Sequence, residues 1–417
     1  MTQSAGMAFL HKTLKGYSQA MGIVAYAGSQ LLILVVLLKS GGFRAAGDFS
    51  LSQAIIAPVF GLVAFSLRPY WVSGVIRDLG MYQFFQLRMI SLLCGAGIAF
   101  AVRQLFFPTT DSSIFTFVFL LKVSELISDV CYGALDVTGR SATAGQLLMG
   151  KALAIGISAG ICFLVGASIP ALQSAIYLCI LLALALELSV VRFSFPAFLK
   201  AAGLKTVLLA SHIRLISWAS ISSVVTSVTG FLPRYFLEAV HGREAVGYFS
   251  TVAIPASVVL MICTGLAQTE LKGFSATYLK SDWPAFSGTL YRRSFLLFGL
   301  SLVVACTVAG LTVIVHSAFH DLLPAKFGFD ASLIVLLFFP LYMAQLLSYA
   351  AMPLARMGET FAITLASLLL QISVLPTLVH WQGLYGAVAA SMAGGIIQSA
   401  GLAFVVCKYF QVQRVQA

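Results

Sequence analysis

Between Gly16 and Cys407 the chain returns about twelve times to an apolar run of roughly twenty residues, each bounded by Gly, Pro, Asp or a basic side chain. A run of that length is long enough for a helix to cross a hydrocarbon layer, where only a helix or a closed barrel satisfies every backbone N–H and C=O from within. Composition excludes a soluble core as the alternative. The 417 residues are 60% apolar and only 9% charged, against roughly 45–50% and about 25% in soluble domains. The runs fall at 16–38, 48–67, 84–107, 113–135, 145–166, 171–191, 214–236, 248–269, 294–315, 331–353, 359–380 and 383–407. At about twenty residues each they occupy about 240 residues, which leaves short connections and no room for a separate soluble domain. Met1 to Lys15 is polar, and the Gly16 to Leu38 run is too long for the core of a cleaved signal, so it is expected to stay as the first span. The expected class is an all-α polytopic membrane protein of about twelve transmembrane helices.

The placement of basic residues gives an independent reading of topology. Taking connections alternately, one side holds eighteen Lys and Arg and the other six: Lys39, Arg44, Arg103, Arg234, Arg243 and Lys326. Positive charge concentrates on the inner face, so both termini are expected in the cytoplasm. The net charge of +11 is scattered along the connections instead of forming a face or tail, which argues against nucleic acid as a partner. All seven cysteines lie within apolar runs, without a CxxC pair, and read as small buried hydrophobes.

The chain also repeats itself. At a constant offset of 200, Gly42, Ala45, Gly47, Phe49 and Ser50 meet Gly242, Ala245, Gly247, Phe249 and Ser250; at 217, Tyr132 and Ala134 meet Tyr349 and Ala351. Six spans is an even number, so duplicated halves share one orientation and are expected to relate by a pseudo-two-fold along the membrane normal. The expected domains are a six-helix lobe over 1–192, an amphipathic cytoplasmic linker over 193–213 that lies on the membrane lipids, and a second six-helix lobe over 214–417.

Charge inside a span costs at least about 2.5–3.5 kcal/mol per group and marks function by default. The fourth span is the densest, with Lys122, Glu125, Asp129, Tyr132 and Asp136 on one helical stripe about 21 Å long. Such a face is expected to line water or substrate. The seventh span repeats the spacing with Ser220, Ser223, Ser227, Gly230 and Arg234, and the tenth with Tyr342, Gln345, Tyr349 and Arg356. Hydroxyls and aromatic rings at that spacing equally serve helix packing. Glu125 and Asp129 stand one turn apart, a pattern suited to ion coupling by a proton or sodium, as a proton relay. His316 and His320 stand i, i+4 but lack a third ligand, so no metal is expected, and Gly156 with Gly160 reads as a packing pair. No P-loop, nucleotide fingerprint or Ser/His/Asp arrangement occurs, so neither a cofactor nor an enzymatic activity is expected.

Two segments resemble a known family. Pro233-Arg234-Tyr235-Phe236, Gly242 and Gly247-Tyr248-Phe249-Ser250 are similar to the helix 7 to 8 segment of bacterial polysaccharide and O-antigen (Wzx-type) flippases of the multidrug/oligosaccharidyl-lipid/polysaccharide exporter superfamily. Lys122, Glu125, Ser128-Asp129 and Tyr132-Gly133 resemble their fourth span. Together these cover about forty residues, and the chain departs from the pattern at Gly41-Gly42-Phe43-Arg44 and at Asp136. The resemblance implies a flippase of the bacterial inner membrane that turns an undecaprenyl-diphosphate-linked oligosaccharide outward by alternating access. Lys122 and Arg234 would contribute to one cationic site for the diphosphate, and the Ser, Tyr and Gln stripes would meet glycan hydroxyls. A glycan polymerase and other assembly proteins are the implied partners. The rivals are a multidrug antiporter of the same superfamily, which would want an acidic aromatic cavity, and a glycan polymerase or ligase, which would want a larger external loop.

Overall fold

The computed structural model describes the backbone of residues 2–63, 68, 71, 80–200, 206–318, 324, 326–354 and 356–416; side chains are described from residue 18 onward except 19–20, 197, 199–200, 206–219, 268–269, 272, 313–318, 357 and 410–416. Every element among these residues is helical. In chain order they are α1 (Thr2–Val63), α2 (Met81–Phe106), α3 (Ser112–Val137), α4 (Ser141–Val165), α5 (Ile169–Val190), α6 (Phe195–Lys200), α7 (Thr206–Val252), α8 (Ile254–Leu279), α9 (Trp283–Ala318), α10 (Phe327–Leu337), α11 (Phe339–Ala351), a 3-10 turn (Met352–Leu354), α12 (Met357–Gln382) and α13 (Leu384–Gln416).

Eight described helices are long and apolar enough to cross a membrane, and Ser220–Val252 with Ile254–Ala267 forms a further pair bent by 51°. This agrees with twelve expected spans. The apolar part of α1, Met21–Val63, is 43 residues long, about 64 Å at 1.5 Å per residue, which is twice a hydrocarbon layer of about 30 Å. It therefore holds the first two spans. The bent pair holds the seventh and eighth, and α3 is set aside from the apolar set only by its own charges. The chain is a multi-pass membrane protein. Its outward faces fit that reading, with Leu93, Leu105, Leu153, Leu164 and Leu181 all exposed; in water such surface would be costly, and lipid covers it.

Span boundaries match expectation closely along α2 to α5 and less well where a turn proves helical. The expected connection at 39–47 is helix on both sides of Gly42, the one residue of α1 outside helical geometry, at φ 67 and ψ −167. Gly242 breaks α7 in the same way, at φ 78 and ψ −175. Those angles are open to glycine and strained for other residues. The repeat at offset 200 is thus written into the backbone. It extends to side chains too. Asp48 Oδ1 accepts from the backbone N–H of Asp111 at the start of α3 (3.4 Å), and its counterpart Tyr248 donates to Asp330 in the first turn of α10 (2.6 Å). Pro255 and Pro340 stand at the starts of α8 and α11, where a missing N–H is tolerated, and so set the breaks before them.

The chain divides into two compact units, Met1–Val228 and Thr229–Ala417, with the division inside α7. In unit 1, α1 packs along α4 and α3 around Phe49, Phe115 and Phe117, which are all at most 2% exposed. Phe193, Phe195 and Phe198 bring α6 against Tyr82 and Phe85 at the start of α2 through a chain of ring contacts. Residues 201–205 of the expected amphipathic linker lie outside the described residues, as do the side chains of 206–213. In unit 2, α13 packs against α12 and α11, with Tyr342, Leu346 and Leu375 fully buried.

Candidate functional site

Asp111 caps α3, its carboxylate accepting from Ile114 N at 2.9 Å, and the helix then carries its charges into unit 1. Lys122 Nζ donates to both oxygens of Glu125, at 2.9 and 2.7 Å. Gln30 and Tyr26 of α1 also donate to Glu125 Oε1, at 2.6 and 3.2 Å. One turn on, Asp129 is held by Arg88 at 2.8 Å and Arg68 at 3.2 Å. Arg68 continues to Asp136 at 2.8 Å. Glu125 and Asp129 therefore share no partner, and each oxygen of both accepts at least one hydrogen bond.

Tyr132 lies under the Arg68 guanidinium, which is 5.7 Å from its ring centre, and points its hydroxyl elsewhere. Its hydroxyl donates to Glu187 of α5 at 2.5 Å, and Ser128 donates to the other Glu187 oxygen at 2.6 Å. Lys151 of α4 completes the chain by donating to Ser128 Oγ at 2.8 Å. Lys151 and Glu187 are 3% and 1% exposed, so this chain lies wholly inside unit 1. Arg68, Arg88, Lys122 and Lys151 stand against Glu125, Asp129, Asp136 and Glu187, a balance of four and four. Each charge gains a partner, which is the condition for keeping it in a low-dielectric interior.

Unit 2 is built differently. Arg234 donates through Nε to Ser250 Oγ at 3.4 Å, and its guanidinium lies 4.7 Å from the Phe231 ring and 6.0 Å from that of Phe249. Among the described residues no carboxylate lies within ion-pair distance of it. Asp330 is the reverse case, 3% exposed, with Tyr248 and Tyr385 donating at 2.6 and 2.7 Å and no cation beside it among the described residues. Tyr342 is fully buried and donates to the Val335 carbonyl at 3.2 Å, whereas Gln345 and Tyr349 remain half-buried. Of the serine stripe, Ser220, Ser223 and Ser227 are described with unit 1. Ser220 is 1% exposed, Ser223 faces Gly61 of α1, and Ser227 is half-buried. The His316 and His320 side chains lie outside the described residues.

No family model and no curated protein matches the sequence. Solved structures do. A MOP-superfamily transporter from Pyrococcus furiosus aligns with a TM-score of 0.66 at 14% identity over 96% of this chain and 96% of its own. An inward-facing multidrug resistance transporter of the MATE family gives 0.63 at 14% over 95% and 94%, and the lipid II flippase MurJ gives 0.62 at 15% over 95% and 87%. The fold is that of the MOP-superfamily transporters.

Within the MOP fold, the polar interior of unit 1 was only half visible in the sequence. Arg68, Arg88 and Lys151 read as inner-surface charges near span ends, and Glu187 lies alone in the run Leu-Ala-Leu-Glu-Leu. The available signal was the isolated acid itself: a carboxylate in hydrocarbon demands a cation, and Lys151 is set in a neighbouring apolar run. Tyr26 and Gln30 of α1 gave no such signal, because a Tyr or Gln in a span is ordinary.

Proposed function

We propose that this chain is a flippase that carries an undecaprenyl-diphosphate-linked oligosaccharide, such as an O-antigen or exopolysaccharide unit, from the cytoplasmic to the outer leaflet of the bacterial inner membrane by alternating access. The observation that carries the reading is Arg234, a guanidinium within a span whose paired donors meet no carboxylate among the described residues. A diphosphate supplies the missing anion with matching bidentate geometry. The balanced cluster around α3 fits the same reading, since it adds no net charge against an anion. MurJ, a flippase by its description, shares the fold.

The test is lipid flipping in vesicles that hold the purified chain, with a fluorescent prenyl diphosphate oligosaccharide read by an external quencher. Arg234→Ala should slow flipping at least about tenfold at unchanged protein level, since hydrogen bonds to charged groups contribute about 1.5–3 kcal/mol each. Arg234→Lys should recover little, because an ammonium cannot reproduce the fork. Full activity of Arg234→Ala would sink the assignment. The fold is equally that of MATE multidrug transporters, which gives the second reading, antiport of cations. Uptake of a cationic dye without any lipid flipping would favour it.

A further inference from the structure

α1 and α3 bring four polar side chains to one place in unit 1. Glu125 Oε1 accepts from Gln30, Lys122 and Tyr26, while Oε2 takes the second Lys122 contact. Lys122 and Glu125 are 21% and 28% exposed, so the patch is open on one side. The ammonium is cancelled by the carboxylate it grips, and the patch as a whole offers no net charge to a diphosphate. What it keeps is hydrogen-bonding capacity. The Gln30 amide also meets the Tyr26 hydroxyl, which leaves Gln30 its carbonyl oxygen, Lys122 a third N–H and Tyr26 one lone pair of its hydroxyl. Hydrocarbon cannot satisfy them. Donors and acceptors interleaved over so small an area match a group that donates and accepts at once, which is a hydroxyl. The patch also adjoins the buried chain to Glu187, since Lys151 lies 5.7 Å from the Tyr26 ring.

We infer that Tyr26, Gln30, Lys122 and Glu125 form a glycan subsite that reads hydroxyls of the transported oligosaccharide, a role separate from diphosphate binding by Arg234. This rests on the reading of the substrate as a lipid-linked oligosaccharide. It moves Lys122 from a charge contact for the diphosphate to a sugar contact, and it gives Tyr26 and Gln30 a function that the sequence alone did not suggest.

The experiment compares two probes on the purified full chain in nanodiscs: farnesyl diphosphate, and the same lipid diphosphate linked to a hexose disaccharide. The parent should bind the glycosylated probe more tightly. Gln30→Leu and Tyr26→Phe should each cut that preference by about three- to tenfold and leave affinity for the bare diphosphate within about twofold, in line with one or two neutral hydrogen bonds lost. Tyr26→Phe keeps the ring and its packing, so a loss there is not a loss of folding. Arg234→Ala should weaken both probes by one factor. If Gln30→Leu and Tyr26→Phe leave the preference intact or weaken both probes alike, the subsite is overturned. Equal parental affinity for the two probes overturns the subsite and leaves the diphosphate reading standing. A parent that binds neither probe overturns both.

Discussion

Glu187 lies 1% exposed on α5 with a hydroxyl on each oxygen, and the nearest compensating charge, Lys151, reaches it through Ser128. Removing one member of such a chain leaves a buried charge alone, at a cost of about 3–5 kcal/mol, whereas replacing both by apolar groups of similar size is often close to neutral. Lys151→Met should therefore lower the unfolding midpoint of the purified protein sharply, and Lys151→Met with Glu187→Leu should restore more than half of the loss. Losses that simply add would show that the two do not form one unit. The sequence flagged charge on the fourth span correctly, since Lys122, Glu125, Asp129 and Asp136 do share a stripe. It could not assign partners. Helical spacing says which residues share a face, but whether Tyr132 meets lumen or Glu187 depends on what α5 presents, and that is a tertiary fact.

At the scale of elements, the two glycine breaks carry the most information. Gly42 and Gly242 hold positive φ with open space where a Cβ would stand, so the demand for glycine is conformational and not steric. Gly42→Ala and Gly242→Ala should each cost about 1–3 kcal/mol, read as a shift of the unfolding midpoint. Gly160→Ala is the control, because Gly160 lies inside α4 with ordinary helical angles and equally open surroundings; it should be neutral or gain up to about 1 kcal/mol. Equal losses at all three positions would sink the conformational account. The matching residues at offset 200 made both turns legible in the sequence. Their form was not: hydropathy ends a span where polar residues begin, yet helical hydrogen bonding runs on through them. For the same reason the ninth span, expected from 294, is a helix from Trp283, whose first eleven residues are too polar to register as apolar.

At the scale of the whole molecule, class, span count and repeat were all readable, because a hydrocarbon solvent imposes length and apolarity on every crossing segment. The choice of substrate was not, because the MOP fold serves proteins described as multidrug transporters and as a lipid II flippase alike. The four-to-four charge balance inside unit 1 bears on energetics in another way. A cell membrane carries a voltage, and each unit charge moved across it does about 2.3 kcal/mol of electrical work per 100 mV. A cluster that sums to zero does none, so these eight side chains can shift together within the membrane without working against the cell's resting potential. A charged cargo adds electrical work of its own. A diphosphate diester bears about one negative charge per phosphate, and an interior-negative voltage would push it outward by about 4–5 kcal/mol per 100 mV. On the proposed function, flipping in vesicles should accelerate when a potassium diffusion potential makes the donor side negative and slow when its sign is reversed; indifference to that sign would mean that a counter-ion travels with the lipid.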